Sequence, residues 1–248
     1  MSDLPLANRI ALVTGASRGI GRAAALALAA AGAQIVAVAR TPGALEALDD
    51  EIRTLTGQPA TLVPMDIAEG GGLEQLGQAI HQRFGRLDVL VHAAAILGPI
   101  TPVAHIEPNH WDRIVAVNLT ASYRLIRSVE PLLRASDRPR AIFLTSGRAV
   151  RPKAFWGPYG VTKAGLEHLV RTWADELEQT SIRAVLLDPS VMRTRMRAEA
   201  MPGENPDILP DPSEIGPLIL ELAQVDLGHP TASVVFSDWK QAGTLASA

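Results

Sequence analysis

Short apolar segments alternate with segments of helical periodicity along most of the chain, and this alternation limits the possible folds more than any other feature. The apolar segments lack alternating polar residues, which is typical of strands buried on both faces. Such alternation predicts a parallel sheet with helices on both sides. We therefore predict an α/β fold, a doubly wound parallel sheet in one domain over residues 1–248. The seven predicted strands are residues 10–13, 34–39, 60–65, 87–91, 141–144, 183–187 and 232–236.

Helical periodicity predicts a helix after each of the first six strands, with a long helix from about residue 111 that bends or breaks near Pro131. Residues 190–212 are rich in proline, arginine and acidic groups. We expect them to form a long substrate loop with room for one helical turn. A short helix is predicted at residues 214–223.

Composition excludes several kinds of site and partner. The 248 residues carry a net charge of −3 and no long basic block, so we expect neither nucleic acid nor a membrane as a partner. The absence of cysteine excludes disulfides and thiolate chemistry and fits a cytoplasmic protein. The N-terminus has no basic region followed by an apolar core, so we expect no secretory leader.

A glycine-rich turn follows the first strand, with Gly15, Gly19 and Gly21 ahead of an alanine-rich helix. Glycines at such a turn let the backbone approach a pyrophosphate, and the helix N-terminus offers free N–H groups and a positive dipole end to phosphates. The turn predicts a dinucleotide site. The alternative is a tight structural turn.

The end of the second strand indicates which dinucleotide binds. An acidic residue there would accept from the ribose 2′-hydroxyl of NAD, but this chain has Ala39-Arg40. Arg40 and Arg18 suit the charge of a 2′-phosphate. We therefore predict NADP(H) in preference to NAD(H). The alternative is that both arginines are solvated surface residues.

Tyr159 and Lys163 extend an apolar helical stripe that contains Leu166 and Val170, so both lie on a face expected to be buried. A buried ammonium is costly unless it is paired or hydrogen-bonded. One explanation is that the lysine charge lowers the pKa of the neighbouring phenol, which is about 10 when free, so that it can transfer a proton. The alternative is a lysine that reaches solvent at the helix start.

Two further polar residues fall where the same site is expected. Ser146 ends the fifth strand thirteen residues before Tyr159, so the strand end and the helix start can meet. Asn118 lies on a helical stripe with Ile114 and Leu125, where a buried amide must be hydrogen-bonded. A capping or helix-bending role is the alternative for Asn118.

This set of motifs, in this order and spacing, resembles the short-chain dehydrogenase/reductase family from residue 9 to about residue 236. The resemblance implies a Rossmann fold, a nicotinamide cofactor, and a catalytic set of Asn118, Ser146, Tyr159 and Lys163, in which Asn118 holds a water in a proton relay. It also implies a homo-oligomer, a dimer or tetramer built on helices around 111–135 and 158–179. No metal is expected. The predicted cofactor-binding residues are Gly15, Ser17, Arg18, Gly19, Ile20, Gly21, Arg40, Asp66, Ile67, Ala93, Tyr159, Lys163, Met192 and Thr194.

The chain departs from the family pattern at two places. His92-Ala-Ala-Ala95 stands where the family usually has Asn-Asn-Ala-Gly, and Pro189-Ser190 stands for Pro-Gly. We interpret His92 as a core or strand-end residue, and we expect Ser190 to stiffen the substrate loop.

The predicted function is a hydride transfer between NADP(H) and a carbonyl or secondary alcohol, with Tyr159 as general acid/base. The alternatives are a catalytically silent NADP(H)-binding sensor or scaffold, and an epimerisation or dehydration that uses the cofactor transiently. Six cations in the expected pocket lead to the hypothesis that the substrate is anionic or linked to a carrier. The alternative is that these residues form a solvated basic loop. They are Arg148, Arg151, Lys153, Arg193, Arg195 and Arg197.

Overall fold

The computed structural model describes residues 4–225 and 228–245. Within them, seven parallel strands form one sheet in the order β3-β2-β1-β4-β5-β6-β7, which confirms the predicted doubly wound sheet. The strands are β1 (Ile10–Thr14), β2 (Gln34–Ala39), β3 (Thr61–Pro64), β4 (Val89–His92), β5 (Arg140–Leu144), β6 (Arg183–Asp188) and β7 (Thr231–Val235). The register pairs Thr14 with both Val38 and His92, so the carboxyl ends of the central strands lie at one edge.

Helices cover both faces of this sheet. They are α1 (Gly19–Ala30), α2 (Pro42–Thr56), α3 (Gly72–Phe84), α4 (Pro108–Val115), α5 (Ala121–Arg134), α6 (Gly157–Glu176), α7 (Arg195–Ala200), α8 (Gly216–Gln224) and α9 (Phe236–Ala242). Alternate residues of each strand face opposite sides: Val13 packs in the core with α1, α2 and α8, and Leu12 packs with α3, α5 and α6. Both faces are therefore closed by apolar contacts, and the polar strand ends are left for a site.

The predicted irregularity in the long helix is present, but not where it was expected. α5 continues through Pro131 to Arg134, so the predicted break there is wrong. The helix widens instead at Ala116–Thr120, a π-helical turn in which the amide of Ala121 donates to the carbonyl of Ala116. Single π-helical turns within α-helices are frequent at functional sites, and this one contains Asn118.

The C-terminal part is more helical than predicted. The 190–212 segment contains α7 and short 3₁₀ turns at Pro206–Ile208 and Pro212–Ile215. The last strand ends at Val235, and Phe236, predicted as strand, begins α9. Within the described ranges, no helix is both long and apolar enough to cross a membrane.

Candidate active site

A cleft of about 790 Å³ opens at the carboxyl-end edge of the sheet, where the strand order reverses between β1 and β4. Open parallel sheets bind ligands at this point. Every predicted site residue except Asn118 lines it. The lining residues among those predictions are Gly15, Ser17, Arg18, Gly19, Ile20, Gly21, Arg40, Asp66, Ile67, Ala93, Ser146, Tyr159, Lys163, Met192 and Thr194.

The glycine-rich turn that leads into α1 lines this cleft with backbone atoms, because Gly15, Gly19 and Gly21 carry no side chains. Gly15 has a φ of 69°, and a Cβ there would lie 2.8 Å from the amide nitrogen of Ala94. A Cβ on Gly21 would collide with the carbonyl of Gly15. No side chain caps the N-terminus of α1, so its N–H groups and dipole remain available to an anion. The loop thus fits the pyrophosphate of a dinucleotide.

Charged residues lie at the part of the cleft beside β2 and β3. Arg18 and Arg40 are exposed there, and neither forms an ion pair with any residue that the structure describes. Asp66 is ion-paired with Arg113 of α4. Burial opposes ionisation of Asp66, but hydrogen bonds from the Ala68 amide and Arg113, with the charges of Arg113 and Arg40, lower its pKa. Sequence reasoning missed Arg113, because no local pattern connects residues 47 positions apart.

Ser146, Tyr159 and Lys163 meet where the end of β5 faces the start of α6. The hydroxyl of Ser146 accepts from the Arg148 amide at 3.2 Å. Tyr159 and Lys163 are 8% and 4% exposed, which confirms that both lie on the buried face. The Nζ of Lys163 donates to the carbonyl of Leu144 at 2.6 Å and lies 5.9 Å from the centre of the Tyr159 ring. The costly buried ammonium therefore has a backbone partner.

The pKa values of this pair differ from the expectation. Burial raises the pKa of Tyr159 to about 12; the Ser146 hydroxyl lowers it and the charge of Asp188 raises it further. Burial lowers the pKa of Lys163 to about 8, against the opposing effects of Asp188 and Glu167. The expected lowering of the phenol pKa by Lys163 is wrong here, because desolvation dominates. At neutral pH, the Tyr159 hydroxyl is therefore protonated.

The buried lysine predicts a specific pH dependence of stability. Its pKa is about 8 in the folded chain and 10.5 in the reference state, so the unfolded chain binds the extra proton and stability rises with pH between these values. From pH 7 to pH 10, the free energy of unfolding of the wild type should rise by about 2–3 kcal/mol relative to Lys163→Met. Urea unfolding of both proteins at each pH measures this. Parallel curves would contradict the assigned burial of a titrating ammonium.

Asn118 connects elements around the cleft without lining it. Its side chain is 1% exposed; Oδ1 accepts from the amide of Ile96 at 2.9 Å, and Nδ2 donates to the Ile96 carbonyl at 2.9 Å and to Thr162 Oγ1 at 3.2 Å. This confirms that the buried amide is hydrogen-bonded. Asn118 ties the segment after β4 to α6, and its position in the π-helical turn fits the helix-distorting role considered above.

The arrangement matches known proteins closely. The model of the short chain dehydrogenase family matches residues 9–205. The chain belongs to this family of oxidoreductases.

The uncharacterized oxidoreductase YciK of Escherichia coli K12 is 35% identical over 219 residues, 88% of this chain and 86% of that protein. A short chain dehydrogenase from Shigella flexneri 2a, complexed with NADP, has a TM-score of 0.90 and 33% identity over 96% of this chain and 100% of that one. Another from Escherichia coli CFT073, complexed with NADPH, has a TM-score of 0.89 and 33% identity over 95% and 99%.

His92, which departs from the short chain dehydrogenase pattern, is a buried structural residue. Its Nδ1 lies 2.7 Å from Thr14 Oγ1 and its Nε2 lies 3.0 Å from Ser122 Oγ, which donates to the Asn118 carbonyl. Because the Ser122 hydroxyl donates its hydrogen to that carbonyl, Nε2 of His92 must donate to Ser122 Oγ. Nδ1 of His92 must then accept from the Thr14 hydroxyl. Burial and the charge of Lys163 lower the pKa of His92 to about 3, so it stays neutral. Its hydrogen bonds connect β1 and β4 to the start of α5.

The second departure, Ser190, occupies a backbone conformation that favours glycine. Its φ is 60°, and two hydrogen bonds hold it there: its amide donates to Asp188 Oδ1 at 2.9 Å, and its hydroxyl accepts from the Ser237 amide at 3.1 Å. The hydroxyl therefore adds one contact, to the Ser237 amide, that glycine could not make, which agrees with the expected stiffening of the segment.

The arginines of the 190–212 segment are already matched by carboxylates. Each of the three forms an ion pair within the segment. The pairs are Arg193–Asp211 at 2.8 Å, Arg195–Glu199 at 2.8 Å and Arg197–Glu204 at 2.5 Å. This favours the interpretation of a solvated basic loop for these three residues. The nearby Thr194 caps α7 through the Arg197 amide, and its methyl group approaches Gly19.

Proposed function

We propose that the chain is an NADP(H)-dependent oxidoreductase that transfers a hydride between the nicotinamide and a carbonyl or secondary alcohol. One observation carries the proposal: Ser146, Tyr159 and the buried Lys163 line the same cleft as the glycine loop. A cofactor cradled by that loop and a substrate at Tyr159 would share one cavity. We further propose that residues 1–248 form a single cytoplasmic catalytic domain.

The cofactor would be held along the length of the cleft. The N-terminus of α1 and its glycine loop suit the pyrophosphate, and Arg18 and Arg40 suit the 2′-phosphate that distinguishes NADP from NAD. The other assignments follow the family resemblance: Asp66 and Ile67 at the adenine, Ala93 and Lys163 at the ribose, Met192 and Thr194 at the nicotinamide amide. The NADP and NADPH complexes of the two related structures support this choice.

Side chains of the protein would supply the proton that the carbonyl oxygen receives. Bound NADPH would supply the hydride for the carbonyl carbon. Ser146 would donate a hydrogen bond to the carbonyl oxygen and orient it, and Tyr159, protonated at neutral pH, would transfer its proton to that oxygen. Lys163 would stabilise the resulting phenolate by its positive charge. Asn118 would support the relay that returns a proton to Tyr159.

A panel of aldehydes and ketones, with NADPH absorbance as the readout, tests this function. We expect turnover with at least one carbonyl compound and much weaker turnover with NADH. NADPH binding without oxidation across the whole panel would contradict the proposal and favour a silent sensor or scaffold.

We also propose a homo-oligomer assembled through the α4–α5 and α6 faces. Each of these helices carries one exposed large apolar side chain, which a partner subunit would cover. Trp111 is 37% exposed, Tyr123 50% and Val161 52%.

A further inference from the structure

Five arginines from the two loops that flank the predicted substrate side of the cleft fall into two groups. Those of the 190–212 segment carry carboxylate partners, as described above. Arg148 and Arg151, in the loop between β5 and α6, also line the cleft but form no ion pair with any residue of the described ranges. Two guanidinium groups without a carboxylate partner among the described residues thus remain in the loop that follows Ser146.

Arg148 is held by contacts with Ser146, Arg151 and Trp156. Its amide donates to Ser146 Oγ, and its Nη1 donates to the carbonyl of Arg151 at 3.3 Å. Its guanidinium lies 5.8 Å from the centre of the Trp156 ring, and that ring meets the Tyr159 ring edge-on at 6.0 Å. Arg148 is only partly exposed. Stacking and hydrogen bonding therefore fix this cation in place, which lowers the entropic cost of using it to bind.

Arg151 reaches the same region across Gly147. Its amide donates to the Gly147 carbonyl at 2.9 Å, and its Nη2 lies 3.3 Å from the point where a Cβ of Gly147 would stand. The guanidinium therefore lies over the residue that directly follows Ser146. A side chain at position 147 would push it away.

Asp188 is the carboxylate that faces this loop from β6. Its Oδ2 lies 3.4 Å from the same point beside Gly147, yet it forms no ion pair with Arg151. Its Oδ1 accepts from the Ser190 amide, and its charge acts on Tyr159 and Lys163. The charge of Asp188 thus acts on Lys163, and Asp188 forms no ion pair with Arg148 or Arg151.

We propose that Arg148 and Arg151 form a subsite for an anionic group of the substrate, a carboxylate or a phosphate, whose carbonyl is presented to Ser146 and Tyr159. This rests on the proposed carbonyl reductase function and narrows its substrate to anionic carbonyl compounds. Guanidinium groups bind such oxyanions through paired N–H donors. The ion-paired arginines of the 190–212 segment take no part.

Binding to the NADP⁺-loaded protein, which has no hydride to give, tests the subsite apart from turnover. Calorimetry with 4-formylbenzoate, 4-formylphenyl phosphate and methyl 4-formylbenzoate compares two anions with a neutral analogue. We expect at least one anion to bind about 10-fold more tightly than the ester. Arg151→Gln and Arg148→Gln should each remove most of this preference and leave ester binding within about twofold.

Arg195→Gln is the matched control, since it removes the same charge from the same cleft but from a group already paired with Glu199. It should keep the preference for anions. Equal binding of anions and ester by the wild type, no binding of any probe, or an equal loss of anion preference in Arg195→Gln would overturn the subsite. Turnover measurements separate the two proposals. Reduction of the aldehyde of methyl 4-formylbenzoate, without a preference for the anionic aldehydes, would refute only the subsite. Binding of the anionic aldehydes without any reduction would refute only the reductase function.

Discussion

Tyr159→Phe is expected to lower kcat for carbonyl reduction by about 10²–10⁴-fold, the usual contribution of a positioned general acid. Because the pKa of Tyr159 is about 12, the hydroxyl carries its proton at neutral pH, and phenylalanine leaves no donor in its place. The ring is retained, so its edge-on contact with Trp156 and the packing of α6 should persist. NADPH affinity, measured by fluorescence titration, should therefore stay close to that of the wild type.

The chain contains its own control, because it has two tyrosines. Tyr123 is 50% exposed on α5, outside the cleft, and Tyr123→Phe removes the same hydroxyl without touching the proposed site. It should leave kcat unchanged. Normal turnover in Tyr159→Phe would remove Tyr159 from the mechanism, and a loss of NADPH binding would assign it a structural role instead.

Arg40→Ala is expected to weaken NADPH binding by about 10–100-fold and to leave NADH binding nearly unchanged. A hydrogen bond to a charged group contributes about 1.5–3 kcal/mol, which is the source of this range. Arg40 lies at the end of β2, lines the cleft and has no ion-pair partner in the described part of the chain, so its charge is available to a 2′-phosphate. Titration with both nucleotides measures the change in preference.

Arg83→Ala controls for net charge, since it removes one positive charge from α3, away from the cleft. It should not change the ratio of the NADPH and NADH dissociation constants. If Arg40→Ala weakened both nucleotides equally, the choice of NADP(H) would lose its physical basis.

The features that the sequence predicted best are those fixed by local pattern. The uninterrupted apolar segments identified the strands, and Gly15, Gly19 and Gly21 marked the turn before α1, because backbone sterics alone demand glycine there. The four-residue step from Tyr159 to Lys163 predicted that both face the core, and they do. These conclusions required no knowledge of the distant parts of the chain.

Features that depend on tertiary contacts could not be predicted. Pro131 suggested a break in the helix, but the distortion lies at Asn118, where the side chain bonds Ile96 and Thr162. The pairing of Asp66 with Arg113 joins separate elements and left no local signal.

The sign of the Tyr159 pKa shift also escaped the sequence argument. The sequence predicts that the Lys163 charge lowers this pKa, whereas in the folded chain Nζ of Lys163 donates to the Leu144 carbonyl and both side chains are buried. Desolvation then outweighs attraction. The Tyr159 hydroxyl therefore carries its proton at neutral pH.

The central claim is that hydride from NADPH and a proton from Tyr159 reach one carbonyl in the same cleft. Single turnover with NADPH deuterated at the transferable position, followed by mass spectrometry of the alcohol, tests it most directly. We predict one deuterium on the carbinol carbon with the wild type and with Tyr123→Phe, and almost no labelled alcohol with Tyr159→Phe. Unlabelled alcohol from the wild type, or equal labelling by Tyr159→Phe, would contradict the account.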